Sequence, residues 1–86
     1  MVIMMNKILV NIYVPSISSS YDVYISTDSY IGDIKNILGN SIEKLSNKRF
    51  VSISNVLVDS ITGKEFDDNL IVEETNIENG SKLILI

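Results

Sequence analysis

The sequence contains neither cysteine nor histidine, and the two absences remove much of the usual catalytic repertoire. Without cysteine there is no disulfide framework and no thiolate nucleophile, a usage that fits a reducing compartment. Without histidine the commonest general base and the commonest metal ligand are both missing. Basic charge is scarce as well: seven Lys and Arg against eleven Asp and Glu leave a net charge of −4. Phosphate binding needs clustered cations, so this balance speaks against nucleic acid and against anionic membrane surfaces. No apolar run approaches the roughly 20 residues needed to span a bilayer, so direct membrane insertion is not expected. The opening "MVIMMNKILV" is interrupted by Asn6 and Lys7 too early for a signal peptide. The expectation is a cytoplasmic protein whose residues 1–6 fray, with Met4 and Met5 as alternative initiators.

What remains is an ordinary globular composition, 45% hydrophobic and 21% charged. Eighty-six residues suffice for one domain with a modest core, but not for a core plus an enclosed active-site cleft. Residues 7–86 are expected to form that domain.

Residues 7–14, "KILVNIYV", alternate with period two, Ile8, Val10, Ile12 and Val14 on one face and Leu9, Asn11 and Tyr13 on the other. "PSISSS" (15–20) is a breaker-rich turn, and "YDVYIS" (21–26) alternates again, with Tyr21, Val23 and Ile25 inward. The two runs predict a hairpin with a loop of six residues (15–20). The period then changes: Ile31, Ile34, Leu38, Ile42 and Leu45 mark the stripe of one amphipathic helix. Thr27, Asp28 and Ser29 offer N-caps, and Gly32 and Gly39 make the helix dependent on tertiary packing. A third strand is expected over 49–59, bent near Asn55, and a turn with a short fourth strand over 62–66. One helical turn around Val72–Thr75 and a last strand over 81–86 complete the chain. The predicted core includes Ile12, Val23, Ile34, Leu38 and Leu85.

Hairpin, helix, strand, short strand, helical turn and strand together predict an α+β β-grasp fold, a mixed four- to five-stranded sheet with one face covered by the helix. Ubiquitin has the same order, and the last quarter of the chain resembles it in spacing. "GKEF" (63–66) is similar to its turn and short strand. "VEETNIENGSKLILI" (72–86) repeats its Asn-Ile pair, five-residue spacer and Leu-x-Leu. The opening strand Lys7–Pro15 and the Tyr21–Asp22 pair look similar to the bacterial YukD/EsaB-like family of ubiquitin-fold proteins. That resemblance implies a small cytoplasmic accessory of type VII (ESX-like) secretion systems. It also implies protein partners such as a secretion ATPase or a membrane-anchored subunit, with no cofactor and no enzyme activity of its own.

The chemical constellations are weak. Asp67–Asp68 and Glu73–Glu74 lack any metal-loop spacing, so solvated loops are expected there rather than a metal site. Ser18–Ser20 have no base to activate them. Gly63–Lys64 lacks the upstream glycine and the strand-to-helix setting of a phosphate loop, and reads as a hairpin turn. The informative feature is the uncovered sheet face. First and last strands are neighbours in a β-grasp sheet, so Leu9, Tyr13, Tyr24, Ile84 and Ile86 are expected to form one protein-binding patch. Two other readings stay open. One is a free-standing regulatory adaptor, for which this face serves another partner. The other is a sulfur-carrier or ubiquitin relative that has lost its Gly-Gly tail; Leu85 and Ile86 in the place of glycines lead us to expect no conjugation.

Overall fold

Period-two alternation builds the hairpin. The computed structural model describes residues 6–86. In it β1 (Lys7–Val14) pairs antiparallel with β2 (Ser19–Ser26), from Lys7 opposite Ser26 to Val14 opposite Ser19. The loop is shorter than expected. Pro15–Ile17 form one 3-10 turn, and Ser18, at φ 50°, donates its N–H to the Pro15 carbonyl at 3.1 Å. Pro15 suits the first position of that turn, where a backbone N–H has no partner. Ile17 is buried and anchors the loop, a role hidden by the serines around it.

After the hairpin comes α1 (Ile31–Leu45), whose Ile31, Ile34, Leu38 and Ile42 are buried against the sheet. The end of the chain then returns to the middle of the sheet. β4 (Lys82–Leu85) lies parallel to β1, with Ile12 opposite Leu83 and Tyr13 opposite Ile84. β3 (Leu57–Asp59) runs antiparallel on the far side of β4, giving the order β2-β1-β4-β3. The result is the expected α+β β-grasp, a mixed four-stranded sheet with one helix on one face. Among the described residues no helix is long and apolar enough to cross a membrane.

Several expectations need correction. Leu45 is 67% exposed, because the last helical turn leaves the core that Ile42 still reaches. Val23 and Tyr21 are only half-buried, since β2 is an edge strand. The helix is not capped by Thr27, Asp28 or Ser29; its N-cap is Tyr30, which contributes no side-chain bond. Instead Ile31 N–H donates to the Leu70 carbonyl (2.8 Å) and Gly32 N–H to the Asp68 carbonyl (3.1 Å). Thr27 uses both its N–H and its hydroxyl on the carbonyl of Asn6. Met1–Met5, most of the segment expected to fray, lie outside the described residues, as do the alternative initiators.

The third strand is shorter than the 49–59 predicted. Side chains satisfy the preceding backbone in place of a ladder: Phe50 N–H donates to Ser46 Oγ (3.1 Å) and Ser52 N–H to Glu43 Oε1 (2.8 Å). Asn47, Lys48 and Ser54 take positive φ, which no strand permits. The fourth strand shrinks to one bridge between Val58 and Glu65, and the helical turn is the 3-10 segment Val72–Glu74.

Gly39 shows why α1 tolerates a glycine. A methyl group there would overlap Asn55 Nδ2 and Ser52 Oγ, which are hydrogen-bonded to each other at 2.6 Å against the helix. Alanine normally stabilises a helix interior by about 1 kcal/mol over glycine. Gly39→Ala should instead lower stability by about 1–3 kcal/mol through overpacking, measured by urea denaturation, and adding Asn55→Ala should recover part of the loss. Leu38→Ala should cost about 2–5 kcal/mol, the range for a truncated buried leucine. A Leu38→Ala melting temperature equal to the parent's would mean that the helix face is wrongly assigned.

Candidate protein-interaction face

Strand register decides which outward side chains meet. On the face opposite α1, Leu9 of β1 stands against Tyr24 of β2. One row further, Asn11 stands between Asp22 and Lys82, and its Nδ2 donates to Asp22 Oδ1 at 3.0 Å. In the next row Tyr13 lies between Ser20 and Ile84, and Ile84 in turn neighbours Val58. Ile86 follows, its N–H and carbonyl both bonded to Val56 at 2.9 Å. Direct cross-strand neighbours on one face have Cβ atoms about 4.5–5.5 Å apart.

The five residues of the expected patch therefore fall into two groups. Tyr13, Ile84 and Ile86 lie together, joined by Val56 and Val58. Leu9 and Tyr24 lie apart, across the polar row of Asp22, Asn11 and Lys82. Leu9 is further hemmed by the loop before β4, where Asn79 Oδ1 accepts its N–H (2.9 Å) and Gly80 N–H donates to its carbonyl (2.7 Å). Tyr24, 70% exposed, is the most open of the five. Val56 and Val58 escaped the sequence reading because "NVLVD" breaks the alternation. The register of β3 places them: with Leu57 and Asp59 buried, Val56 and Val58 must point outward.

The polar constellations have structural duties. Asp68 forms an ion pair with Lys35 Nζ at 2.9 Å, and Asp67 Oδ1 accepts the N–H of Asn69 (2.8 Å). Glu74 Oε1 accepts the N–H of Ile71 (2.8 Å) and closes the 3-10 turn. Gly63, at φ 73°, turns the chain between Asp59 and Glu65. Ser19 Oγ donates to the Ile17 carbonyl.

Asp59 is the one carboxylate with a clearly altered acidity. It ends β3 facing inward, where Asn76 Nδ2 donates to Oδ2 and the N–H of Ile61 to Oδ1, both at 2.9 Å. These donors, Asn76 first, favour the ionised form and hold its pKa below the usual carboxylate range. The carboxylate thereby ties the β3 turn to the Asn76–Ile77 loop.

No protein-family model and no curated protein matches the sequence. Solved structures do match. The ubiquitin-like domain of EccD5 from Mycobacterium xenopi superposes with a TM-score of 0.78 at 16% identity, over 94% of this chain and 93% of that one. The ubiquitin-like domain of Plasmodium falciparum Dsk2 gives 0.71 at 18% identity, over 92% and 95%. A chain of the MycP5-free ESX-5 inner membrane complex gives 0.77 at 10% identity. There the match covers 94% of this chain but only 21% of the larger one. These TM-scores establish the fold as ubiquitin-like.

Because the folded-state pKa of Asp59 is depressed, its contribution to stability is present above the unfolded-state value and is lost as pH falls through the folded-state value. Asp59→Asn should therefore destabilise the protein at neutral pH. The difference from the parent should shrink as pH is lowered from 5 to below about 4. Denaturation midpoints across that range provide the measurement, and a pH-independent difference would exclude the carboxylate charge as the cause.

Proposed function

We propose that this chain is a non-catalytic, cytoplasmic ubiquitin-like module that acts by protein–protein contact, as an accessory of a type VII-like secretion system. The observation that carries the reading is the row of Tyr13, Ile84 and Val58, extended by Ile86 and Val56. Branched and aromatic side chains there form a contiguous surface, held by backbone pairing on three strands. Such rigid apolar anchors are what dominates binding at the centre of an interface. The fold likeness to EccD5 and to a chain of the ESX-5 inner membrane complex supports a partner within a secretion apparatus. A secretion ATPase or a membrane-anchored subunit is the partner class that fits. Leu9 and Tyr24, across the polar row, contribute at the margin.

Ile84→Asp places a carboxylate at the centre of the row while its neighbours Leu83 and Leu85 stay in the core. The variant should remain folded by circular dichroism, lose co-purification with the apparatus and reduce substrate export. An anchor of this kind is worth about 2 kcal/mol or more, roughly 30-fold in affinity. Tyr24→Ala should weaken binding by less than Ile84→Asp. Normal binding and export by a folded Ile84→Asp variant would reduce the row to ordinary surface.

A further inference from the structure

Among the described residues, β2 stands at the sheet edge with no strand beside it. The direction of its backbone groups follows from β1. Asn11 donates its N–H to the Ser81 carbonyl (2.9 Å), and the Leu9 carbonyl accepts from Gly80 N–H, so odd-numbered residues of β1 address β4. Even-numbered ones address β2, and the hydrogen-bonded pairs are Val10 with Val23 and Ile12 with Tyr21. Ser20, Asp22 and Tyr24 consequently turn N–H and carbonyl outward, and none has a backbone partner among the described residues. Natural edge strands are usually guarded by proline, lysine, a bulge or brevity. This one runs Ser19–Ser26 with none of these, and its one charge, Asp22, is held by Asn11.

A second observation concerns the adjacent flank of α1. Lys35 and Gly39 face Asp68, Ser52 and Asn55, on the β3 side of the molecule. Helical periodicity puts Ile37 on the opposite flank, toward β2, where it is 60% exposed. Tyr21 and Val23 of β2, pointing to the helix side, are only half covered. Unpaired amides, a half-covered apolar floor of Tyr21 and Val23, and the exposed Ile37 thus lie along one edge of the molecule.

We propose that β2 pairs antiparallel with β2 of a second copy, about a twofold axis through Val23, joining two sheets into one. Outward-facing amides meet only when even-numbered residues oppose even-numbered ones. A register centred on Asp22 sets that carboxylate against its own counterpart, which is destabilising. The register centred on Val23 sets Asp22 opposite Tyr24 of the partner subunit and Ser20 opposite Ser26 of the partner subunit. Val23 then meets itself as a non-hydrogen-bonded pair, with Cα atoms about 4.5 Å apart. Both helices lie on one side of the joined sheet, with the Ile37 flank of each turned toward the junction. A strand that complements itself without opposing charges meets the requirement of a twofold interface, and this self-match selects a second copy over a foreign strand. The net charge of −4 on each copy opposes approach, so the pair forms at high protein concentration.

Light scattering on the full chain, from micromolar to millimolar, should show the mass rising from 9.6 kDa toward twice that value. Val23→Cys introduces a cysteine into a chain that has none. Oxidation should yield a disulfide-linked dimer, because the Cα separation suits a disulfide. Lys82→Cys, on the exposed face of β4, should not cross-link. Asp22→Pro removes an outward N–H that makes no bond to β1, and should weaken association roughly tenfold while the hairpin persists. If that variant misfolds, the comparison of the two cysteine variants still decides. A single-chain mass at every concentration overturns the proposal, as does Val23→Cys cross-linking no faster than Lys82→Cys. An edge that takes a strand from another protein would give that monomeric result.

Discussion

Parallel pairing of β1 with β4 is the constraint from which the rest of the architecture follows. It joins segments about seventy positions apart in the chain, as the Leu9 to Asn79 hydrogen bond marks. It also sets the two strands at the centre of the sheet. The polar latch at its start is specific: Asn79 and Gly80 hold both backbone groups of Leu9, and Gly80 sits at φ 90°, where a side chain would be strained. One register sets both faces. Ile12 beside Leu83 lies in the core, while Tyr13 beside Ile84 lies on the surface. A slip by one residue would exchange them, so core stability and the composition of the outer face are a single choice.

The loops between strands work by polar saturation rather than by ladders. Glu43, Ser46, Ser52 and Asn55 hold the segment after α1, and Phe50 is driven into the core between them. The Lys35–Asp68 pair clamps the loop after β3 to the helix. Asp68 is half exposed, so its ion pair contributes modestly to stability, and geometry is its main product. Asp59 and Asn76 do the same at the other end of β3.

Periodicity made much of this readable in advance. The hairpin, the helix over residues 31–45 and the last strand announce themselves because alternation and the Ile31–Ile34–Leu38–Ile42 stripe are local signals. What escaped was nonlocal. Ile17 hides among serines, and Leu45 continues a stripe that the sheet is too small to cover. Residues 49–56 have the β-branched content of a strand, but the side chains of Glu43 and Ser46 claim the amides that a ladder would need. The candidate face was half visible. Outward parity identified Tyr13, Ile84 and Ile86, but neither the polar row that separates Leu9 and Tyr24 nor the arrival of Val56 and Val58 can be read without the register.

The carbonyls of Leu70 and Asp68, bonded to the first amides of α1, also bear on how the chain comes to fold. A helix that closes its own N-terminus needs no distant residues to satisfy its first amides. This one carries two glycines and borrows its cap from residues nearly forty positions downstream, so it lacks the means to nucleate alone. On a ribosome adding about 5–20 residues per second, α1 emerges roughly seconds before its cap exists. During that interval the Ile31–Ile42 stripe is uncovered and the hairpin has no helix against which to pack. Folding must therefore be late and nearly concerted, triggered when the second half of the chain arrives. The molecule should behave as one cooperative unit, without an early helical intermediate.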